Sequence, residues 1–310
     1  MQLSPAQLDR ARGVLLGTAA GDALGAGYEF GPPLPDDAEV TMRGRGGSRP
    51  GEWTDDTSMA IAIAEVAARG ADLRDAEAQD AIVRRWLEWA EEATDVGKQT
   101  RGVLAAVRGR DAPSAAARRA AADLHERTGH TAGNGSLMRT APVALAHLDD
   151  EASLSQAARA LSELTHFDPE AGEACVLWCA AIRHAVLTGA LDVRPGLALL
   201  PAARRRVWAR RLEDAERARP ADYARNGWVV EALPAAWSAI TATSTLPDGL
   251  AAAVRGGRDT DTVAAIAGGL LGAVHGAGAV PAQWRSLLHG WPGLDADGLV
   301  ALAGAVAVAP

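Results

Sequence analysis

Aromatic side chains are scarce in this 310-residue chain: nine Trp, two Tyr and two Phe make up only 4% of it. A core short of rings has to be filled by Ala, Leu, Val and Ile, which favours closely packed helices. Cysteine is rarer still. The two present, Cys175 and Cys179, lie one helical turn apart, which suits small buried side chains better than a disulfide framework or a metal knuckle. No stretch reaches the roughly 18 apolar residues of a membrane span, and MQLSPAQLDRARG lacks the basic and apolar blocks of a secretory leader. The expectation is a cytoplasmic protein with no membrane partner. Excess positive charge is missing as well. A net charge of −8 disfavours a surface built to attract nucleic-acid phosphates. Period-two alternation is also absent, so no strand is foreseen. The fold class expected is all-α, a single compact multi-helix domain over residues 1–310 without a linker-like shift in composition. A monomer is the expected state.

Apolar residues at 48% and charged residues at 23% are ordinary for a globular chain with a sizeable core. Helical periodicity predicts helices over 5–27, 57–69, 77–93, 101–108, 110–127, 154–164, 169–188 and 263–276. The polar 110–127 stretch reads as an exposed helix. The basic run from Arg204 to Arg219, interleaved with Glu213, Asp214 and Glu216, reads as a solvated helix with ion pairs at helical spacing. Two helices carry an unusual feature. Gly17, Gly21 and Gly25 recur every four residues in the first, and Gly268, Gly272 and Gly276 do so in the last. Each glycine costs about 1 kcal/mol relative to Ala inside a helix. A close crossing of the two helices compensates that cost and would bring the loops at Thr54 and Asp259 together. Between Tyr28 and Gly51 the Gly and Pro content forbids a regular element. Loops beyond about 12–15 residues usually do something, so this stretch, opened by Glu29, reads either as a lid over a pocket or as a tolerated surface loop.

The chemistry-bearing residues form two acidic clusters, Trp53-Thr54-Asp55-Asp56-Thr57 and Asp259-Thr260-Asp261-Thr262. One Asp or Thr is enough to cap a helix. A second carboxylate adds repulsion that a cation relieves. Four carboxylates and several hydroxyls are hard oxygen donors, the ligands favoured by Mg²⁺, Mn²⁺ or Ca²⁺. Gly133-Asn134-Gly135-Ser136 is a glycine-rich loop whose backbone N–H groups could hold an anion, although Asn-Gly is also a common turn. His166, just before the Asp168-Pro169 helix start, points into a pocket or makes a structural hydrogen bond. Asp22 reads as a polar group bonded within the core.

In this order the motifs GTAAGDALG (17–25), Tyr28-Glu29, EWTDDTS (52–58), Asp95 to Arg101, GNGSLMRTAP (133–142), THFDP (165–169), GWVVEAL (227–233) and DTDTVAAIAG (259–268) resemble the ADP-ribosylglycohydrolase family, which includes the dinitrogenase-reductase-activating glycohydrolase. The resemblance spans nearly the whole chain. It implies an all-helical fold with two divalent cations, Mg²⁺ or Mn²⁺, held by Thr54, Asp55, Asp56, Asp259, Asp261 and Thr262. It implies a hydrolase cleaving the glycosidic bond at C1″ between ADP-ribose and an arginine, a serine or a small acceptor, with Glu29 as the catalytic carboxylate. Asp95, Lys98, Gln99, Thr100, Asn134, Gly135, Ser136, Met138, His166 and Trp228 would line the ADP-ribose pocket. Trp228 stands where the family commonly has tyrosine, which removes a hydroxyl contact and leaves stacking. Its partner would be ADP-ribose or an ADP-ribosylated protein. Two other readings remain: a catalytically silent ADP-ribose-binding module, and a two-metal phosphohydrolase. Arg258, directly before the second cluster, has no role from sequence.

Overall fold

A computed structural model describes residues 2–44 and 46–309. Met1, Arg45 in the predicted loop, and Pro310 lie outside the described residues. Helices α1 (Pro5–Ala26), α2 (Asp55–Ala67), α3 (Ala76–Glu92), α4 (Lys98–Val107), α5 (Pro113–Thr128), α6 (Ala141–Ala146) and α7 (Glu151–Glu163) form the first half. Helices α8 (Pro169–Thr188), α9 (Ala202–Ala215), α10 (Val229–Thr241), α11 (Leu246–Arg255), α12 (Thr260–His275), α13 (Ala282–Arg285) and α14 (Ala296–Val308) complete the chain. The fold is all-α; among the described residues the β-structure is one two-residue antiparallel pair, His289–Gly290 with Leu294–Asp295, and two isolated bridges. One hydrophobic core runs through all the long helices.

The foreseen crossing is present. Helices α1 and α12 run antiparallel with backbone against backbone. A Cβ on Gly17 would overlap the Gly268 carbonyl oxygen, and one on Gly268 the Gly17 carbonyl. Gly13 meets Gly272 in the same way, Gly21 meets Ala264, and Gly25 meets Thr260 and Asp261. The Thr260 hydroxyl donates to the Gly25 carbonyl at 2.9 Å. The C-terminal end of α1 is thereby fixed against the N-terminal turn of α12, and Glu29 emerges beside Asp259 and Asp261.

Several boundaries differ from the periodicity, each for a local reason. Helix α2 starts at Asp55 because the Ser58 N–H already finds the Thr54 carbonyl. Helix α4 starts at Lys98, not 101, with Gly97 as its cap, so Lys98-Gln99-Thr100 is a helical turn. Helix α5 begins at Pro113 and buries Ala117 and Ala121, so it is not simply exposed. The basic helix α9 keeps a solvated face with the expected ion pair at helical spacing, Arg210–Asp214, while its other face is tied down: Arg204 and Arg211 reach Glu170 at 2.7 and 2.9 Å, and the Trp208 indole donates to Glu173 at 2.7 Å. Both cysteines are buried and unbridged. No helix is long and apolar enough to cross a membrane among the described residues.

If backbone contact is what the glycines serve, Gly268→Ala should destabilise the protein by about 1–3 kcal/mol through overpacking, despite alanine's better helix propensity. Gly102→Ala in α4, where nothing lies within 4 Å of the added atom, should instead stabilise by about 0.5–1 kcal/mol. Denaturant midpoints of the two variants test the contrast, and equal shifts would refute it.

Candidate metal and ADP-ribose site

Two helix N-termini converge on the site. Asp55 and Asp56 occupy the first turn of α2 and Asp261 the first turn of α12, where the positive end of each helix dipole favours carboxylates. The α2 turn is shaped by Asp22 of α1, which is fully buried. Its carboxylate accepts from the Thr54 N–H at 3.0 Å, the Thr54 hydroxyl at 2.9 Å, the Thr57 N–H at 3.0 Å and the Thr57 hydroxyl at 2.6 Å. Asp22 thus holds Thr54 and the two aspartates in place. Asp22 is therefore the core-bonded polar group expected from the sequence, and its role in shaping the α2 turn is what residue type and spacing do not reveal. Asn226 is a second such residue. Its side chain accepts from the Asp259 N–H at 3.2 Å and donates to the Gly257 carbonyl at 3.0 Å.

Arg258 now has an account. Among the described residues, it and Phe30 are the non-glycine residues with positive φ, 66° and 60°, a region that strains ordinary side chains. The two strained residues clasp each other's loops: the Phe30 N–H donates to the Arg258 carbonyl at 2.5 Å, and the Arg258 N–H to the Gly31 carbonyl at 2.7 Å. The Arg255 guanidinium binds the Ala38 carbonyl at 2.9 Å. The first part of the predicted lid is therefore pinned to the α11–α12 turn, which presents Glu29 over Asp259 and Asp261.

Carboxylate oxygens of Glu29, Asp259 and Asp261 lie within 4.8 Å of one another. Asp56 sits beneath them, fully buried, with its Oδ1 lacking any hydrogen-bond partner. Burial pushes the Asp55 carboxyl up to about 7, with the Asp22, Asp95 and Asp259 charges adding to it. Asp56 is pushed well above the usual carboxylate range by burial and then by Asp22, Asp55 and Asp259. Asp261 is pushed likewise by burial, then by Asp56, Asp259 and Glu29. Burial also raises Asp259, against a 2.7 Å hydrogen bond from the Asn134 amide. An orphaned buried carboxylate oxygen among mutually repelling hard donors is a chemistry that a divalent cation fits.

A cavity of ≈ 500 Å³ opens beside this cluster, within the usual size of small-ligand sites. Glu29, Asp55, Asp95, Lys98, Gln99, Thr100, Asn134, Gly135, Met138, His166, Asp259, Asp261 and Thr262 line it. A larger cleft of ≈ 1330 Å³ adjoins it across Glu29, Asp55 and Asp95, and Thr54 lies on that side. Two sequence candidates are placed elsewhere. Ser136 turns inward and meets Ser162 at 2.9 Å and Cys175 at 3.6 Å, because residues 134–136 form a tight 3-10 turn. Trp228 is held outside the cavity lining, its ring edge-on to His130 with centroids 6.3 Å apart. Its neighbours Gly227 and Val229 pair with the backbone at Asn134 and Ala132.

The ADP-ribosylglycohydrolase sequence profile matches residues 3–309. The chain belongs to the ADP-ribosylglycohydrolase family. It is 35% identical over 304 residues to ADP-ribosylarginine hydrolase Tri1 of Pseudomonas putida (strain GB-1), covering 91% of this chain and 75% of that protein. It is 31% identical over 298 residues to the ADP-ribosyl-(dinitrogen reductase) glycohydrolase of Rhodospirillum rubrum, covering 92% of each. A solved structure described as an ADP-ribosylglycohydrolase-related protein complex superimposes with a TM-score of 0.75 at 31% identity, covering 98% of this chain and 99% of that one. The all-α fold of this ADP-ribosylglycohydrolase is thus shared with a solved relative.

The raised carboxyls give a signed pH dependence. Between 3.8 and about 7 the folded chain binds more protons at Asp55 than the unfolded chain, so the metal-free fold loses stability as pH rises through that window. A chelator should therefore lower the melting temperature more at about pH 8 than at about pH 5.5, and added Mg²⁺ or Mn²⁺ should restore it. A chelator effect equal at both values would contradict this account of the cluster.

Proposed function

We propose that this chain hydrolyses the C1″ glycosidic bond joining ADP-ribose to an arginine side chain of an acceptor protein, using two divalent cations, Mg²⁺ or Mn²⁺. The observation that carries the proposal is the acidic cluster at the junction of two cavities, one sized for a nucleotide-like ligand and one broad and open. Thr54, Asp55, Asp56, Asp259, Asp261 and Thr262 would hold the cations. Bound there, the cations would supply Lewis-acid polarisation of ribose hydroxyls and of water.

In this reading the ADP-ribose lies in the smaller cavity, where Lys98 and Arg101 bring positive charge to its wall at the N-terminal turn of α4. Asp95, Gln99, Thr100, Asn134, Gly135, Met138 and His166 shape that wall, and Ser136 supports the turn from behind. Glu29 accepts a proton from the attacking water as the water oxygen bonds to C1″; the C1″–N bond breaks with its electron pair going to the guanidino nitrogen, which takes up the proton that Glu29 received. The two buried free cysteines fit a reducing compartment such as the cytoplasm.

Arginine is favoured over serine by the activity for which the Pseudomonas relative is named and by the charge of the larger cleft. Glu52, Glu88, Glu91, Glu92 and Asp95 line it. Two arginines also line it, Arg49 and Arg85, and Arg85 is already neutralised by Glu65 and Glu88 at 2.7 and 2.5 Å, so the carboxylates outnumber the cations. Such a wall suits a guanidinium acceptor and its basic neighbours better than a neutral serine hydroxyl.

Incubating the protein and Mg²⁺ or Mn²⁺ with ADP-ribosylated arginine and serine peptides should release free ADP-ribose from the arginine peptide. Release of AMP would indicate phosphohydrolysis, and binding of ADP-ribose without release from either peptide a silent binding module. Asp261→Asn should lose metal affinity and activity together, whereas Glu29→Gln should slow turnover roughly 10²-fold or more with a smaller effect on metal affinity. Wild-type rates in both would sink the site assignment. Replacing Glu91 and Glu92 together by Lys should raise KM for a modified protein about three- to tenfold while sparing kcat. An unchanged KM would remove the cleft from acceptor recognition.

A further inference from the structure

Arg139 is an unusual residue to find in the core. It is 1% exposed, and no carboxylate pairs with it among the described residues. A buried guanidinium without such a partner is costly. Burial draws its pKa down to about 9. The guanidinium stacks 4.1 Å from the centre of the Trp86 ring. Its Nη2 donates to the Leu161 carbonyl at 3.2 Å and to the Thr165 hydroxyl at 2.7 Å.

The second of those bonds has a directional consequence. Guanidinium is a donor only, so Thr165 Oγ1 is the acceptor, and the threonine's own proton must go elsewhere. The polar neighbour available to take it is His166 Nδ1, at 2.8 Å. If Nδ1 carried a proton, Arg139 and His166 would both donate to Thr165, and the threonine proton would be buried without an acceptor, at a cost of about 1–3 kcal/mol. Nδ1 is therefore unprotonated and Nε2 carries the hydrogen. A doubly protonated ring is opposed too, since burial and then the Arg139 charge hold the imidazole down at about 3.

His166 lines the smaller cavity, although the residue is only 3% exposed, and its Nε2 lies beside Gly133 and Gly135 of the same wall. No protein acceptor for Nε2 is found among the described residues. The Asn134 loop lies flat on the ring: a Cβ on Gly133 would come within 3.2 Å of Nε2, and one on Gly135 within 2.9 Å of Cε1. Glycines at both positions leave the N–H uncovered toward the cavity.

We infer that Arg139 is a positioning residue that acts through Thr165 to lock His166 as a fixed Nε2–H donor, aimed at a phosphate or hydroxyl oxygen of the bound ligand. The ligand assignment rests on the ADP-ribosyl hydrolase reading; the proton placement stands independently of it. His166 then binds and orients but does not act as a base, leaving proton acceptance at C1″ to Glu29.

The test reads the two parts separately. In ¹⁵N-histidine-labelled protein at neutral pH, with His166 assigned by comparison with His166→Gln, the His166 resonances should be those of a neutral ring protonated on Nε2. A ring protonated on Nδ1, or a charged one, overturns the inference whatever the substrate proves to be. Thr165→Val and Arg139→Met should each convert that single form into a tautomer mixture. Thr165→Ser should restore it, which separates loss of the hydroxyl from general loosening of the fold. For binding, ADP-ribose is the probe in calorimetry: Thr165→Val should weaken it about tenfold, the scale of one hydrogen bond, and Thr165→Ser should recover it. Unchanged affinity in Thr165→Val alongside an altered tautomer would overturn the positioning role. Failure of wild type to bind ADP-ribose would count against the functional reading and leave the proton assignment as the spectra give it.

Discussion

The contact between α1 and α12 is made of backbone, and the site depends on it. Where Gly13, Gly17, Gly21 and Gly25 face Gly272, Gly268, Ala264 and Thr260, no side chain separates the helices, so their spacing is set by the radii of peptide atoms. A bulky side chain on either stripe would push Asp22, Thr54 and Asp56 on one side away from Asp259 and Asp261 on the other. The residues closest in space at the site are drawn from opposite ends of the chain, and this crossing joins them. A close-packed helix interface transmits strain rather than absorbing it, so the acidic cluster inherits the rigidity of the crossing.

The second constraint is electrostatic. Asp22, Asp55, Asp56, Asp259 and Asp261 are gathered with no balancing cation among the protein side chains that touch them, and burial raises the pKa of every one. The fold tolerates this because Asp22 is saturated with hydrogen bonds from Thr54 and Thr57 while Asp56 keeps one oxygen unused. The two aspartates show opposite solutions to one problem. Asp22 is satisfied from within and shapes the turn, while Asp56 is left in need of an external charge. The strained pair at Phe30 and Arg258 serves the same end, since it holds a further carboxylate, Glu29, where repulsion alone would drive it off.

Much of this was legible in the sequence because it is periodic or clustered. Four-residue glycine spacing named the crossing, and the paired acidic clusters named the carboxylates that the fold brings together. What stayed hidden depends on direction rather than identity. Asp22 reads as one polar residue in a small-residue helix, and only the structure shows four donors turned toward it. Ser136 and Gly135 are neighbours in one turn, yet the 3-10 geometry sends one side chain into the core and leaves the other residue at the cavity wall. Trp228 lies beside the right loop and is turned out against His130. Arg204 and Arg211 looked solvated because their partners, Glu170 and Glu173, come from another helix. Arg258 is meaningful through its φ angle and its carbonyl, neither of which residue type reveals.

The two adjoining cavities share Glu29, Asp55 and Asp95 as a common wall, so on the proposed placement a substrate cut at that wall would fall into two pieces that already occupy separate rooms. The acceptor protein can diffuse off through the wide cleft without dragging past the nucleotide, and the nucleotide need not wait to be unthreaded. Departure is then ordered by how tightly each room holds its half rather than by a queue at one door. On that placement an acceptor of any size could be served so long as a short segment reaches the wall, because its bulk would not have to enter.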